Sequence, residues 1–313
     1  MSRTALIALS LLASATASPA LADAKPEISF TVRSQDDDTV RLRIHREEED
    51  DWSGRGDYNW GQRLSMSDLN GISRAAIDRG GPISFSLVRP AGRFDCKGTA
   101  RDGEAKGDCS FTSNEAFDRL LANRGIEKPT RRQQYGLAIS GVDSDVIDAV
   151  IKEGMGTPTP NQLVGLGIFK VTPDFVRAMA HIDGMPVRIN DLIQFKIFKI
   201  TPETVKGFGA LGYHDLKARD LVQFSIFKVT PEFVRSMADA GYKDVPARDL
   251  VQMRMFGVTP EFAKRMAERS GGKPNAQALV KMRITGIRPQ DSWRRDWQRN
   301  WQRNWRWNDE RDN

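Results

Sequence analysis

The residues of this chain that could do covalent or metal chemistry are few and widely separated. The three histidines, His45, His181 and His214, have no partner at metal-ligand spacing. His45 begins HREEED, which lacks the histidine four residues on that a zinc-protease helix carries. No G-x-S-x-G elbow and no Walker loop is written anywhere. The acidic run Glu47–Asp51 reads as a solvated loop, because it lacks the oxygen spacing of an EF-hand. The expectation is a chain that is not an enzyme, with no catalytic residue, no cofactor and no metal site.

The two cysteines suggest structural chemistry instead. In FDCKGTARDGEAKGDCSF, Cys96 and Cys109 flank Asp102-Gly103, a dipeptide that favours a two-residue type I′ hairpin turn. Pairing outward from that turn sets Gly98 opposite Gly107, Cys96 opposite Cys109 and Phe94 opposite Phe111. The cysteines then form a non-hydrogen-bonded pair, where Cα atoms approach to about 4.5 Å, within disulfide range. A Cys96–Cys109 disulfide formed in an oxidising compartment is predicted; two buried thiols are the alternative.

Two further groups could bind a partner. Arg119, Arg177, Lys206, Arg235 and Lys264 share one column of a sequence repeat and would form a ladder able to receive acidic groups. Weak salt bridges on a solvated face are the plainer reading of that column. Near the C-terminus, Trp293, Trp297, Trp301 and Trp305 recur every four residues, with Trp307 added and arginines between them. Indole and guanidinium together suit a membrane interface or an anionic polymer. A low-complexity extension made by copying QRNW, or a segment docking to a protein, are the other readings.

The ladder is positioned by a repeat. Ungapped blocks of 29 residues begin at Ser113, Val142, Val171, Ile200, Val229 and Val258, and the sixth ends at Gly286. FKVTPDFVR from Phe169, FKITPETVK from Phe198, FKVTPEFVR from Phe227 and FGVTPEFAK from Phe256 carry the strongest copies. Thr caps the backbone N–H groups of a first helical turn, and Pro follows where its missing N–H costs nothing. Asp or Glu then faces the positive end of the helix dipole. Phe, Val and Met at the fifth, sixth and ninth positions fall on one face, and a Gly at the thirteenth ends the helix. A second helix runs through segments such as ARDLVQMRM, with Asp191, Asp220 and Asp249 in its first turn. Gly141, Gly257 and Gly286 end it in three blocks; Lys170, Lys199 and Lys228 stand there in the others. If those lysines are left-handed, each costs roughly 1 kcal/mol. Its apolar residues go nearly all round, so no outer face can be assigned.

Residues 25–112 read as an antiparallel β domain: EISFTVRS and TVRLRIHRE around a QDDD turn, then PISFSLVR and the cysteine hairpin. SMSDLNGISRAAI between them suggests a short helix capped by Ser67. Residues 1–24 read as a signal peptide, with Arg3, an apolar run from Ala5 to about Ala17, and an A-x-A pattern at Ala20 and Ala22. No later segment has the about 20 apolar residues a spanning helix needs. The 313-residue chain carries a formal charge of +6, compatible with anionic surfaces without requiring nucleic acid. An exported, periplasmic protein is expected.

The chain up to about residue 286 resembles a group of exported bacterial repeat proteins. In these a β domain ends in a Gly-rich hairpin, here FDCKGTARDGEAKGDCSFTSNEAF, followed by blocks of the form GVTPEFVR…GY…DLV, here from Val229. Similar blocks occur in extracytoplasmic portions of β-lactam-sensing antirepressor-type metallopeptidases. The likeness implies a sensing or protein-docking role; peptidase activity is not carried over, since the peptidase motif and membrane helices are missing here. Met255-Phe256-Gly257-Val258-Thr259-Pro260 also resembles the hairpin of tandem helix–hairpin–helix modules, which offer backbone N–H groups to DNA phosphates. Thr stands here where their second Gly would be.

The sequence thus predicts an α+β protein, with a disulfide-pinned β domain at 25–112, an α-solenoid of six helical hairpins at 113–286, and a Trp/Arg tail at 287–313. Its expected work is docking an envelope protein, with a place as a sensor component implied by the resemblance; nucleic-acid-backbone binding and membrane tethering through the tail are the alternatives.

Overall fold

The computed structural model describes residues 28–35, 38–46, 58–182 and 184–286. The expected signal peptide and the tail with Trp293, Trp297, Trp301, Trp305 and Trp307 lie outside these residues. The chain is α+β: an antiparallel sheet of seven strands, then helices. The strands are β1 (Ile28–Ser34), β2 (Thr39–Arg46), β3 (Tyr58–Ser65), β4 (Leu69–Asn70), β5 (Gly81–Arg89), β6 (Gly92–Arg101) and β7 (Glu104–Ser113). Their order is β3-β2-β1-β7-β6-β5-β4. Alternation sends Ile28, Phe30, Val32, Val40, Leu42 and Ile44 to the core. The sheet curls strongly, since Phe30 of β1 meets Phe85 of β5 at 5.0 Å between ring centroids across two intervening strands.

The cysteine hairpin has the expected register, with Gly98 opposite Gly107, Cys96 opposite Cys109 and Phe94 opposite Phe111. Asp102 and Gly103 have φ of 53° and 73°, the two positive values a type I′ turn requires. The Cys96–Cys109 disulfide is formed, with Cα atoms 4.1 Å apart. The glycine pair is steric in origin: a Cβ on Gly98 would lie 2.0 Å from the Lys106 carbonyl oxygen.

Two local expectations need correction. The short helix α1 (Arg74–Arg79) is capped by Ser73, whose side chain accepts from the Ala76 N–H. Ser67 lies instead in a single 3₁₀ turn, Met66–Asp68. Ser73 wins because only the segment after Gly71 is free of the sheet pairing that holds Leu69 and Asn70 against β5. Strand β3 was not anticipated at all. Gly61-Gln62-Arg63 interrupts its apolar alternation, yet all of β3 pairs with β2.

The later helices alternate along the chain. One set comprises α2 (Glu115–Asn123), α4 (Ser144–Lys152), α6 (Pro173–Ala180), α8 (Pro202–Gly209), α10 (Pro231–Asp239) and α12 (Pro260–Ser270). The other comprises α3 (Arg131–Ser140), α5 (Pro160–Ile168), α7 (Ile189–Ile197), α9 (Ala218–Phe227), α11 (Ala247–Met255) and α13 (Ala276–Thr285). Thr172, Thr201, Thr230 and Thr259 cap the first set as expected. Asn114 and Asp143 serve at the same position in the two degenerate copies. Helices of one set pack side by side, α3 against α5 and onward to α13, and α4 against α6, α8 and α10. Phe195, Phe208, Phe224, Leu192, Leu221, Leu250 and Leu279 are all buried.

Sheet and helices share one core. Helix α3 lies on β3, β5 and β6, where Tyr135 meets Phe94 and Phe111 at 6.0 and 4.9 Å. Gly136 permits this approach, because a Cβ there would lie 2.9 Å from the Trp60 ring. Gly98→Ala is expected to cost about 1–3 kcal/mol by forcing the hairpin apart, measured by urea unfolding, whereas Gly103→Asn in the open turn should cost well under that.

Candidate docking ridge

Arg119, Arg177, Lys206, Arg235 and Lys264, the predicted ladder, are all exposed. Two of them turn back on their own helices, Arg119 pairing with Glu115 at 3.5 Å and Arg177 with Asp174. Lys206, Arg235 and Lys264 stand one turn after Glu203, Glu232 and Glu261, whose pKa is lowered first by their own backbone N–H and their capping threonines and only then by these cations. In the second copy an acid, Asp148, takes the ladder position and accepts from Arg124 at 2.7 Å. That contact lowers the pKa of Asp148 and raises that of Arg124.

The same three glutamates occupy the helix N-termini. Their carboxyls fall below the ordinary 4.5, first through a hydrogen bond to their own backbone N–H, then through the capping threonines Thr201, Thr230 and Thr259. Positive helix ends that could receive a phosphate are therefore already held by carboxylates.

A different column faces solvent with no such neutralisation. Among the described residues seven large apolar side chains are exposed, and six of them fall where a helix of the second set meets its turn. Ile197, Ile226, Met255 and Ile284 are 45, 51, 49 and 58 % exposed, at 29-residue intervals. Phe169 and Phe256 occupy the adjoining position, exposed likewise, and Phe198 and Phe227 half-buried. Helices α7, α9, α11 and α13 pack side by side, at the about 8–10 Å usual for helices, so these side chains recur as a row along one edge of the set, an apolar ridge. This resolves why the second helix reads as apolar all round: one side packs inward and one stays wet.

The residue after each pair sharpens the picture. Lys170, Lys199 and Lys228 have φ of 49°, 54° and 56°, the left-handed conformation that Gly141, Gly257 and Gly286 adopt at the same position. A lysine there costs about 1 kcal/mol over glycine, and strain of this kind collects at functional positions. Cations also brace the ridge from within. Lys196, Arg254 and Arg283 lie over the rings of Phe175, Phe233 and Phe262 at 5.1, 4.8 and 5.3 Å. In the one intervening copy the ring is replaced by Thr204 and the cation by Ser225, so both members change together. Arg254 Nε donates to the Lys228 carbonyl at 2.9 Å, and Ser225 Oγ donates to the Phe198 carbonyl at 2.6 Å. In these two places a copy closes the helix end of the copy before it.

A cleft of about 310 Å³ lies where β3 and β5 meet the end of α3, α4 and the turn after α5, lined by Arg89, Asp68, Ser140, Lys170 and Thr172. Its charges answer each other, Arg89 to Asp68 at 3.1 Å. Among the described residues no cluster of three or more His, Cys, Asp or Glu could hold a metal, and no helix is long and apolar enough to cross a membrane. Neither a protein-family model nor a curated protein matches the chain.

Lys199→Gly and Lys228→Gly should each stabilise the protein by about 1 kcal/mol in denaturant unfolding. The lowered glutamates stabilise the folded chain fully above their ordinary range, and that contribution vanishes as pH falls through the still lower folded-state values. Glu203→Gln/Glu232→Gln/Glu261→Gln should therefore lower Tm at neutral pH and flatten its decline from about pH 5 to about pH 3.

Proposed function

We propose that this is an exported, non-enzymatic repeat protein that docks another protein of the bacterial envelope through the Ile197–Ile226–Met255–Ile284 ridge. In this reading six 29-residue helical hairpins stack as an α-solenoid on the disulfide-pinned β domain, and stacking aligns one exposed side chain per copy into a linear surface. The observation that carries the reading is the ridge itself. Aliphatic side chains about half exposed at a fixed interval are costly in water unless something covers them.

Charge narrows the partner. Lysines 170, 199 and 228 flank the ridge, and the outward residues of the same helices, such as Asn190, Gln194, Arg219, Gln223 and Lys281, include no carboxylate. An acidic amphipathic helix, with anchors spaced along one face, fits such a strip. The likeness to sensor-linked repeat proteins adds a regulatory role in envelope signalling. A DNA backbone fits less well, because the helix N-termini that would bind phosphate carry Glu203, Glu232 and Glu261.

The test is retrieval from an envelope extract by the intact chain and by Ile226→Asp/Met255→Asp, both at exposed sites that leave the core alone. A specific protein captured by the parent should be lost by this variant and kept by Arg235→Gln/Lys264→Gln. Equal capture by all three would remove the ridge from the account.

A further inference from the structure

The outer face of the sheet carries a charge arrangement that the helical ridge does not explain. Arg33 on β1 lies directly opposite Arg41 on β2, and Arg41 directly opposite Arg63 on β3. One step along the strands, Arg43 of β2 and Lys106 of β7 both stand opposite Thr31 of β1. All five cations are exposed, while the alternating partners Val32, Val40, Leu42, Leu64 and Ala105 are buried. Like charges opposite each other across strands destabilise a sheet. One carboxylate answers them: Glu104, which accepts from Arg33 at 3.1 Å and lies 3.4 Å from Lys106. Its pKa is lowered, first by the Arg33 hydrogen bond. Among the described residues Arg41, Arg43 and Arg63 have no carboxylate partner. The far strands differ, for there Arg93 pairs with Asp95 at 2.6 Å and Lys97 stands opposite Asp108. Among the described residues the cations without a carboxylate partner are therefore Arg41, Arg43 and Arg63 on β2 and β3, while the segments joining these strands carry Asp36–Asp38 and Glu47–Asp51 in sequence.

We propose that this face of β1–β3 adsorbs to an anionic phospholipid surface, its guanidinium groups meeting lipid phosphates. The occupant follows from charge and from layout. The cations spread in two dimensions, about 5 Å apart across strands and about 7 Å apart along them. A single nucleic-acid strand neutralises a line of charge and adds base stacking on aromatic rings. Among the described residues this face presents no Phe, Tyr or Trp ring, since Trp60 and Phe30 point to the opposite side, and its one imidazole is His45, opposite Ser29. Guanidinium groups suit phosphate oxygens through paired N–H donors. Without apolar anchors here, attachment is electrostatic and reversible, and it falls away with salt. The surface is separate from the ridge, so either proposal can fail alone.

The experiment is co-sedimentation of the intact chain with vesicles of phosphatidylcholine alone or with about a third phosphatidylglycerol, at low salt and at about 0.5 M salt. Binding is expected only to the anionic vesicles and only at low salt. Arg41→Gln/Arg43→Gln/Arg63→Gln should weaken partitioning about a hundredfold, roughly fivefold per arginine, with a Tm equal to or above the parent because the repulsion is gone. Arg41→Lys/Arg43→Lys/Arg63→Lys, which keeps the charge, should retain most of the binding and controls for folding. The proposal is overturned if the intact chain ignores anionic vesicles, or if the glutamine variant binds them like the parent. It is equally overturned if a phosphate-bearing single or double strand of DNA displaces the vesicles at matched phosphate concentration.

Discussion

The helices from α3 to α13 and from α4 to α10 pack in two rows, each against the helix two places along the chain. A helix of eight to eleven residues is marginal alone, and packing keeps its Phe, Leu and Met side chains dry. This one constraint accounts for the repetition. Each copy starts its first helix at the same position, with Thr in four copies and Asn114 or Asp143 in the two degenerate ones. The first copy has no predecessor, and there the sheet supplies the missing surface through Tyr135, Phe94 and Phe111.

The cost of that arrangement is rigid bookkeeping of helix ends, and the chain manages it across copies. Arg254 closes the helix end that carries Lys228, and Ser225 does so for Phe198. Helix N-termini are satisfied locally by Thr and Glu, which leaves them electrostatically quiet. What remains unsatisfied is therefore informative. In the helical part it is the column Ile197, Ile226, Met255 and Ile284 with its strained lysines. In the sheet it is Arg41, Arg43 and Arg63, which among the described residues have no carboxylate partner. One surface is apolar with lysines at its edge, and on the other five cations outnumber Glu104.

Much of this was legible in the sequence where local chemistry decides the outcome. Asp102-Gly103 determined the hairpin register residue by residue, because a two-residue turn leaves no freedom to slip. Thr-Pro followed by Asp or Glu announced the starts of α6, α8, α10 and α12, and Lys170, Lys199 and Lys228 are left-handed where they align with glycines. What escaped notice depends on pieces distant in sequence. Strand β3 forms because β2 offers an edge, not because Gly61-Gln62-Arg63 prefers to be extended. The arginine row exists only once three strands are placed in register. The ridge was hidden for a different reason: Ile226 and Leu221 look alike in composition, and only packing separates the wet one from the dry one. The signal was nonetheless present, as an aliphatic column recurring at the period of the repeat but one helical face away from the leucines.

That distinction can be measured directly. The chain's two cysteines are joined, so an introduced thiol reacts without competition. Ile226→Cys should be modified by a maleimide in the native protein at the rate of a free exposed thiol. Leu221→Cys, in the same helix and sheltered by its neighbours, should react only as fast as the protein opens. If both thiols react at the same fast rate under native conditions, the helices do not shield one another, and the account of how this chain is built is wrong.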